Sequence, residues 1–279
     1  MQEPPETVRP EGLRPQSVMF SLFGIHVLGT PHLLPTGGVI EVLASVGISA
    51  EATRATLTRM ARRGLLDRHR RGRQVFVGLT PRAAEVLEDG RRRIWETGAV
   101  DTDWDGTWTV VGFSLPEGRR AERHDLRVRL TWEGFGMLQN GMWVAPGAPN
   151  LDAVLGPLAD DPGVITLASR VTGGTHDREL LERAFSLDAI SRRYQAFVRR
   201  WRDDATARAL PDDLARQLVL HTEWLQVIRE SPRLPTALLP AQPAATEAQD
   251  LFRQLAAALE PSAAAIAGRL LDSIEMPAD

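Results

Sequence analysis

GISAEATRATLTRMARRGLLDRHRRGRQVFVGL, residues 47–79, is the stretch that decides the fold of the first third of this chain. Gly47 ends a short preceding helix, and Ser49 stands where an N-cap is needed for a second helix. That helix runs to about Arg63 and ends at Gly64, which readily adopts the left-handed conformation found at helix ends. Two helices joined by a tight turn that contains glycine predict a helix-turn-helix.

A β-hairpin is predicted directly after Gly64. Leu65 and Leu66 open one strand, a basic segment around Gly72 forms the tip, and the alternating residues 74–79 form the return strand. A helix-turn-helix followed by a basic hairpin is the plan of a winged-helix domain, whose usual partner is DNA. A winged helix that contacts another protein instead of DNA is the alternative.

Positive charge is concentrated in this same stretch. From Arg54 to Arg73 the chain has eight arginines and one acid, Asp67, which gives this window a charge of +7. The whole chain carries −3, which leaves −10 for the rest. A basic stripe on an acidic protein indicates a face that reads DNA rather than a general nucleic-acid coat. A solvated charged surface without a ligand is the alternative.

The helical pattern separates a core face from a DNA-binding face. Leu57 and Met60 recur at helical spacing and are expected in the core. Residues at the start and middle of a recognition helix reach base edges, whereas later residues and the hairpin meet phosphates. An ion pair with an acid inside the domain is the alternative role for Arg59. The candidate DNA-binding residues are Arg54, Thr56, Thr58, Arg59, Arg62, Arg63, Arg68, Arg70, Arg71 and Arg73.

The rest of the chain predicts two further regions. The middle region shows a strand, a helix, two strands around Asn140-Gly141, a helix and a strand, which is the βαββαβ order of a ferredoxin-like domain. Asn-Gly favours a type I′ hairpin turn. The last region has helical periodicity, with a proline-rich connector before two alanine-rich helices. Thr30 to Gly38, with two prolines, is interpreted as a loop.

The predicted fold class is therefore α+β and multidomain. Its parts are a disordered N-terminal tail (1–15), a winged helix-turn-helix domain (16–97), a ferredoxin-like middle domain (98–176) and an all-α C-terminal domain (177–279).

Composition and motifs exclude several classes of protein and site. No apolar run approaches the roughly 18 residues of a membrane span, and residues 1–15 do not form a signal peptide, so we expect a cytoplasmic protein. The chain has no cysteine, which removes disulfides, thiolate nucleophiles and cysteine zinc sites. Asp101–Gly106 imitates a calcium loop, but Gly112 stands where the essential glutamate would be. The six histidines are scattered and form no metal-binding pair. No catalytic motif is recognised either, so we expect no bound metal, no cofactor and no enzymatic activity.

Several blocks together resemble the PaaX-type repressors, the phenylacetate-degradation regulator family, over nearly the whole chain. In the first region the blocks are Gly37-Gly38, Gly47-Ile48, Arg54-x4-Arg59, Gly64-Leu65, Arg71-Gly72-Arg73 and Leu79-Thr80. In the middle they are Trp104-Asp105-Gly106-x-Trp108, Pro116-Glu117, Leu126-Arg127, Trp132-x-Gly134-Phe135-Gly136 and Gly141-x-Trp143-Val144-x-Pro146. In the last region they are Leu218 to His221, Leu234-Pro235 and Leu238-Leu239-Pro240.

The resemblance implies a homodimeric repressor that binds an inverted-repeat DNA operator and is released by an acyl-CoA thioester such as phenylacetyl-CoA. We expect the ferredoxin-like middle domain to be the part that dimerises. This chain departs from the family's pattern at Ala50, Ala52 and Thr58, where larger side chains are usual. The departure concerns the operator sequence rather than the mode of binding.

A CoA thioester requires apolar or aromatic walls and several cations. The candidate ligand-binding residues are Trp143, Arg192, Arg193, Tyr194 and His221. Their alternative role is structural, with the aromatic residues in the core and the arginines on a solvated face. A rival function from another class is a Mg²⁺-dependent nuclease, because the middle domain also resembles the small nuclease of CRISPR adaptation systems, and Glu117 is its single candidate metal ligand.

Overall fold

A computed structural model describes residues 13–203, 210–239 and 243–275. Its contacts group the chain into two units. The first comprises Met1–Glu96, Phe197–Gln226 and Asp250–Asp279, and the second comprises Thr97–Ala196 and Val227–Gln249. The division near residue 97 is close to the predicted domain boundary, whereas the segment 177–279 contributes to both units.

The first unit packs helices against a four-stranded sheet. Its elements are α1 (Pro15–His26), β1 (His32–Pro35), α2 (Thr36–Ser45), α3 (Ala50–Arg62), β2 (Leu66–Arg71), β3 (Gln74–Leu79), α4 (Pro81–Arg92) and a π-helical turn (Arg93–Thr97). Its core includes Val18, Leu22, Leu43, Leu57 and Met60. Of the predicted tail, residues 1–12 lie outside the described residues, but Leu13 packs against this core and α1 begins at Pro15, so the tail prediction is wrong for residues 13–15.

Strand β1 corrects the loop that was predicted from Thr30 to Gly38. Leu33 and Leu34 are buried, and β1 pairs antiparallel with β3 and with a strand β10 (Ile274–Glu275). The sheet order is β10-β1-β3-β2. The prolines suggested a loop, but Pro35 lies at the end of the strand, where the missing amide donor is tolerated.

The second unit contains the strand–helix order predicted for the middle region. Its elements are β4 (Val100–Asp101), β5 (Trp108–Phe113), a 3-10 turn (Glu117–Arg119), α5 (Arg120–Trp132), β6 (Gly136–Gln139), β7 (Met142–Pro146), α6 (Leu151–Leu155), a 3-10 turn (Gly156–Leu158), β8 (Val164–Ser169) and α7 (Asp177–Ala184). The four main strands are antiparallel in the order β6-β7-β5-β8.

The two faces of this sheet bury different clusters. Val111 and Phe113 of β5 pack with Leu126 and Leu130 of α5 on one face. Trp108 packs with Leu181 of α7 on the other. The alternation follows from the two-residue period of a strand.

The turn between β6 and β7 differs from the predicted type I′ turn. Gly141 has φ +79°, but Asn140 does not have a positive φ, and a type I′ turn needs positive φ at both positions. The register shifts between Met137 and Gln139, so an irregularity in β6 accommodates the turn. Asn140 instead uses its side-chain oxygen to accept a hydrogen bond from Arg127 (3.1 Å).

The C-terminal segment is mostly helical but not all-α. Its elements are α8 (Leu187–Asp203), α9 (Asp213–Arg229), β9 (Leu234–Pro235), a 3-10 turn (Thr236–Leu238) and α10 (Ala244–Leu271), followed by β10. The all-α prediction is therefore wrong at β9, which pairs parallel with β4, and at β10. Two alanine-rich helices were predicted, but α10 is one helix of 28 residues that continues through Pro261. Within the described residues, no helix is long and apolar enough to span a membrane.

Two adjacent glycines in α2 provide a test of how α2 packs against α10. A Cβ on Gly38 would stand 2.5 Å from the backbone oxygen of Leu270, whereas a Cβ on Gly37 would have nothing within 4 Å. We expect Gly38→Ala to lower the free energy of unfolding by about 1–3 kcal/mol, because the backbone of α10 must move. Gly37→Ala should leave it unchanged or raise it by up to about 1 kcal/mol. Urea denaturation measures both, and equal stability of the two variants would contradict the packing of α2 against α10.

Candidate nucleic-acid interface and ligand cavities

Helix α3 presents one buried and one exposed face. The Ser49 hydroxyl accepts a hydrogen bond from the Ala52 amide (3.2 Å), which confirms the predicted N-cap. Leu57 and Met60 are buried, as predicted. Arg54, Thr58, Arg59, Arg62 and Arg63 are exposed. The helix therefore offers a polar and cationic outer surface next to a core-packed inner one.

Thr56 is placed differently from the prediction. Its side chain is 0% exposed, so Thr56 is not available as a DNA contact in this structure. The buried face consists of Thr53, Thr56, Leu57 and Met60, at spacings of three, four and seven residues from Thr53, which is one stripe of a helix. The sequence pattern missed this because threonine is polar and two of the four positions are threonines.

Two hydrogen bonds fix guanidinium groups at this surface. Arg59 Nη2 donates to the Thr56 hydroxyl (2.9 Å), and Arg68 Nη2 of β2 donates to the Thr58 hydroxyl (2.9 Å). The second bond joins the helix to the hairpin. Arg59 therefore has a hydroxyl partner, and no acid of the described residues forms an ion pair with it.

The hairpin of β2 and β3 carries the other basic residues. Arg68, Arg70, Arg71 and Arg73 are all exposed. Arg70 Nε donates to the Gly72 carbonyl (3.2 Å) and Arg71 Nη2 to the Glu275 carbonyl (3.2 Å), so backbone oxygens hold these two side chains. Gly72 has φ +59° at the tip. Across the part of the chain that the structure describes, none of the eight arginines between Arg54 and Arg73 forms an ion pair with a carboxylate, so their charge remains available to an anionic partner.

The five predicted ligand-binding residues do not form one site. Trp143 is buried in the cluster behind the sheet of the second unit. Arg192 is exposed, and Arg193 pairs with Glu230 (3.3 Å). Tyr194 is buried and lines a cavity in the second unit, where burial raises the pKa of its hydroxyl to about 12. His221 belongs to the first unit.

The cavity beside Tyr194 has a volume of about 650 Å³. Apolar wall residues include Phe185, Leu234 and Leu239. The charged residues are Glu182, Asp188, Glu247 and Arg178, so acids outnumber bases. Such a wall suits an apolar group and repels phosphates. The sequence did not find this cavity because its walls come from α7, α8 and the segments around β4 and β9, which are far apart along the chain.

His221 lies in an aromatic cluster rather than in a ligand site. Its ring centroid is 5.1 Å from that of Phe252 and 5.9 Å from that of Trp95. Burial lowers the pKa of His221 to about 4, with a smaller contribution from His26. Glu223, two residues further along the same helix, accepts hydrogen bonds from Arg200 and Trp201 (both 2.9 Å).

The run that imitates a calcium loop forms a turn. Both oxygens of Asp105 accept hydrogen bonds from Thr107, one from its amide (2.8 Å) and one from its hydroxyl (2.9 Å). Asp101 pairs with Arg233 (3.3 Å). Among the described residues, no group of three or more histidine or acidic side chains is arranged to hold a metal ion.

Comparison with known proteins identifies the family. A model described as PaaX-like protein matches residues 14–83, one described as the PaaX protein central Cas2-like domain matches residues 101–181, and one described as the PaaX-like protein C-terminal domain matches residues 185–269. The chain belongs to the PaaX-like family. Its role is that of a transcriptional regulator of this family, and its middle part is Cas2-like.

A solved structure shares the fold. The uncharacterized protein Rv0674 from Mycobacterium tuberculosis superposes with a TM-score of 0.62 at 22% sequence identity, covering 90% of this chain and 97% of that one. At this identity the likeness is one of fold. No curated protein matches the chain.

The buried His221 predicts how stability depends on pH. Because its folded pKa is lowered from 6.5 to about 4, the unfolded chain binds more protons between these values. We therefore expect the free energy of unfolding to be highest above about pH 6.5 and to fall as the pH drops toward 4, by up to about 3 kcal/mol from this group. His26, whose pKa is lowered chiefly by burial, adds in the same direction.

Urea denaturation at a series of pH values measures this dependence. His221→Phe removes the titrating group from the aromatic cluster and should flatten the curve between pH 6.5 and 4. The control His176→Gln changes an exposed histidine and should keep the slope. An unchanged slope in His221→Phe would contradict the assignment.

Proposed function

We propose that this PaaX-like protein is a homodimeric, cytoplasmic transcriptional repressor that binds an inverted-repeat operator and is released by an acyl-CoA thioester such as phenylacetyl-CoA. In this proposal, residues 16–97 form a winged helix-turn-helix domain in which α3 is the recognition helix and the β2–β3 hairpin is the wing. The order β5-α5-β6-β7-α6-β8 forms a ferredoxin-like domain. The protein has no catalytic activity.

The observation that carries the proposal is the set of exposed arginines on α3 and the hairpin. Duplex DNA is a dense array of phosphates, and arginines without ion-pair partners release its counterions on binding. Arg54 and Arg59 lie near the start and the middle of α3, where side chains reach base edges in the major groove. Arg62, Arg63 and the hairpin arginines are assigned to phosphates. The bond between Arg68 and Thr58 supports one rigid surface for both elements.

The edge strand β8 supports the dimeric part of the proposal. Ile165 and Leu167 are 61% and 56% exposed and lie opposite Gly112 and Val110 on one face of the sheet. An edge strand with exposed apolar side chains is a template for pairing with another chain. A second copy of this chain, related by a two-fold axis, would bury both residues and place two α3 helices on an inverted repeat.

The rival nuclease is not supported by the surroundings of Glu117. A Mg²⁺ site at the end of β5 would need acidic residues, yet the cavity there is lined by Arg120, Arg123, His124 and Arg127 and by no acid. The three guanidinium groups repel a divalent cation. The protein-binding adaptor remains the second candidate, and a failure to bind DNA would favour it.

The central experiment titrates the protein onto labelled DNA from its own upstream region, with and without phenylacetyl-CoA. Tight binding that the thioester releases supports both the repressor and its effector class. Binding that ignores the thioester supports the repressor alone. An absence of specific binding overturns the proposal. With three or four phosphate contacts per subunit, the logarithm of the binding constant should fall against the logarithm of salt concentration with a slope of roughly −5 to −7.

The double variant Arg54→Ala/Arg59→Ala tests the recognition helix. We expect its operator affinity to fall to that for unrelated DNA, because the two groove contacts are lost, while the circular dichroism spectrum stays unchanged. The control Arg91→Ala/Arg92→Ala removes the same charge from α4, where these arginines pair with Glu88 and Asp89. Fluorescence anisotropy measures both variants, and wild-type affinity in the first would contradict the assignment.

The variant Ile165→Arg/Leu167→Arg tests the dimer. Placing two charges on β8 should convert the dimer into a monomer and weaken operator binding, because both half-sites can no longer be held together. The control Val128→Arg changes an apolar residue of α5 that is 53% exposed and should stay dimeric. Analytical ultracentrifugation gives the oligomeric state. If the first variant remains dimeric, the dimer forms through another surface.

A further inference from the structure

A second cavity in the second unit has the opposite electrostatic character from the one beside Tyr194. It has a volume of about 600 Å³ and lies between α5, the end of β5 and the turn at Asn140-Gly141. Its charged or titratable lining residues are Arg120, Arg123, His124 and Arg127, and no carboxylate lines it.

The sequence of α5 explains this arrangement. Arg120, Arg123, His124 and Arg127 are spaced at i, i+3, i+4 and i+7, which is one face of a helix. Leu126 and Leu130 occupy the adjoining, buried face. The packing of these leucines therefore turns the basic stripe toward the cavity.

The charge of these arginines is not neutralised within the protein. Among the described residues, no carboxylate forms an ion pair with any of Arg120, Arg123 and Arg127. The neighbouring Arg119 behaves differently, because it pairs with both Glu122 and Asp161. Guanidinium groups that line one cavity repel one another, and a bound anion relieves this repulsion.

Neutral hydrogen bonds hold two of the guanidinium groups in place. Arg123 Nη1 donates to the carbonyl of Leu115 (3.2 Å), and Arg127 Nη2 donates to the side-chain oxygen of Asn140 (3.1 Å). The Nε–H group of Arg127 is buried and has no acceptor within the described residues. These side chains are therefore ordered before a ligand binds, and the Nε–H group of Arg127 remains as an unused hydrogen-bond donor.

We propose that this cavity, lined by Arg120, Arg123, His124 and Arg127, binds a small molecule that carries a nucleotide with two or more phosphates. Arginine matches the geometry of phosphate with paired N–H donors. A volume near 600 Å³ exceeds the needs of one phosphate and lies within the range of about 300–1,000 Å³ that is typical of small-molecule sites. The cavity beside Tyr194, with its excess of acids, is unsuited to the same group.

Duplex DNA fits the cavity less well than a compact polyanion does. Phosphates of a duplex lie on a convex, extended surface, whereas Arg123 and Arg127 are half-buried behind the turn at Asn140-Gly141. The acyl-CoA proposed as effector carries such a nucleotide, so the inference rests on the proposed function for the identity of the natural ligand. Binding of the nucleotide itself does not depend on it.

The test is isothermal titration of the full-length protein with adenosine 3′-phosphate 5′-diphosphate, with adenosine as the uncharged comparison. We expect saturable binding of the first compound and none of the second. Arg123→Gln/Arg127→Gln should weaken binding by about tenfold or more, because charge-assisted hydrogen bonds are lost. The control Arg178→Gln changes the arginine of the other cavity and should bind as the wild type does.

Arg120→Gln covers the case in which the double variant does not fold, because the side chain of Arg120 is exposed and forms no hydrogen bond with the rest of the described chain. This variant should weaken binding severalfold. Wild-type binding in both variants, or no binding to the wild type, overturns the inference. Loss of operator affinity in Arg123→Gln/Arg127→Gln without any nucleotide binding would make the cavity a DNA contact and also overturn it. If the wild-type protein binds the nucleotide but does not bind an operator, the inference about the cavity holds and the proposal of a repressor is wrong.

Discussion

The packing of one face of α3 against the core of the first unit fixes where the arginines of this helix point. One face of the helix is buried and consists of Thr53, Thr56, Leu57 and Met60. The side chains of Arg54, Thr58 and Arg62 lie on the other face and therefore point toward the solvent. The same rigid placement lets Thr58 accept a hydrogen bond from Arg68, which joins the hairpin to the helix. The proposed DNA-binding surface is thus a consequence of core packing, and a change in the buried face would move the arginines with it.

In the second unit, acidic and basic side chains line different cavities. One cavity has an apolar wall with acids, and another has a polar wall with arginines and no acid. An amphipathic ligand with an anionic end and an apolar end needs both kinds of surroundings. The cavity with acids therefore favours an apolar group, and the cavity with arginines favours an anionic group.

Sequence reasoning succeeded where local periodicity carries the information. The N-cap at Ser49, the helix end near Gly64 and the hairpin around Gly72 follow from spacings of a few residues. It failed at Thr56, because a buried threonine looks polar in a pattern. It also failed at β1, because the partners of that strand are residues 76–77 and 274–275.

By itself, the sequence determined where α3 and its hairpin lie, where the positive charge is concentrated, and which family the residue blocks resemble, since all three depend on residue types and short spacings. The tertiary structure alone decided that Trp143 and His221 are buried and line neither of the two cavities described above, that β10 completes the first sheet, and that the arginine stripe of α5 faces a cavity. The stripe itself is visible as RAERHDLR, residues 120–127, but its direction is set by the burial of Leu126 and Leu130. Burial is a property of contacts between distant segments, and no local pattern contains it.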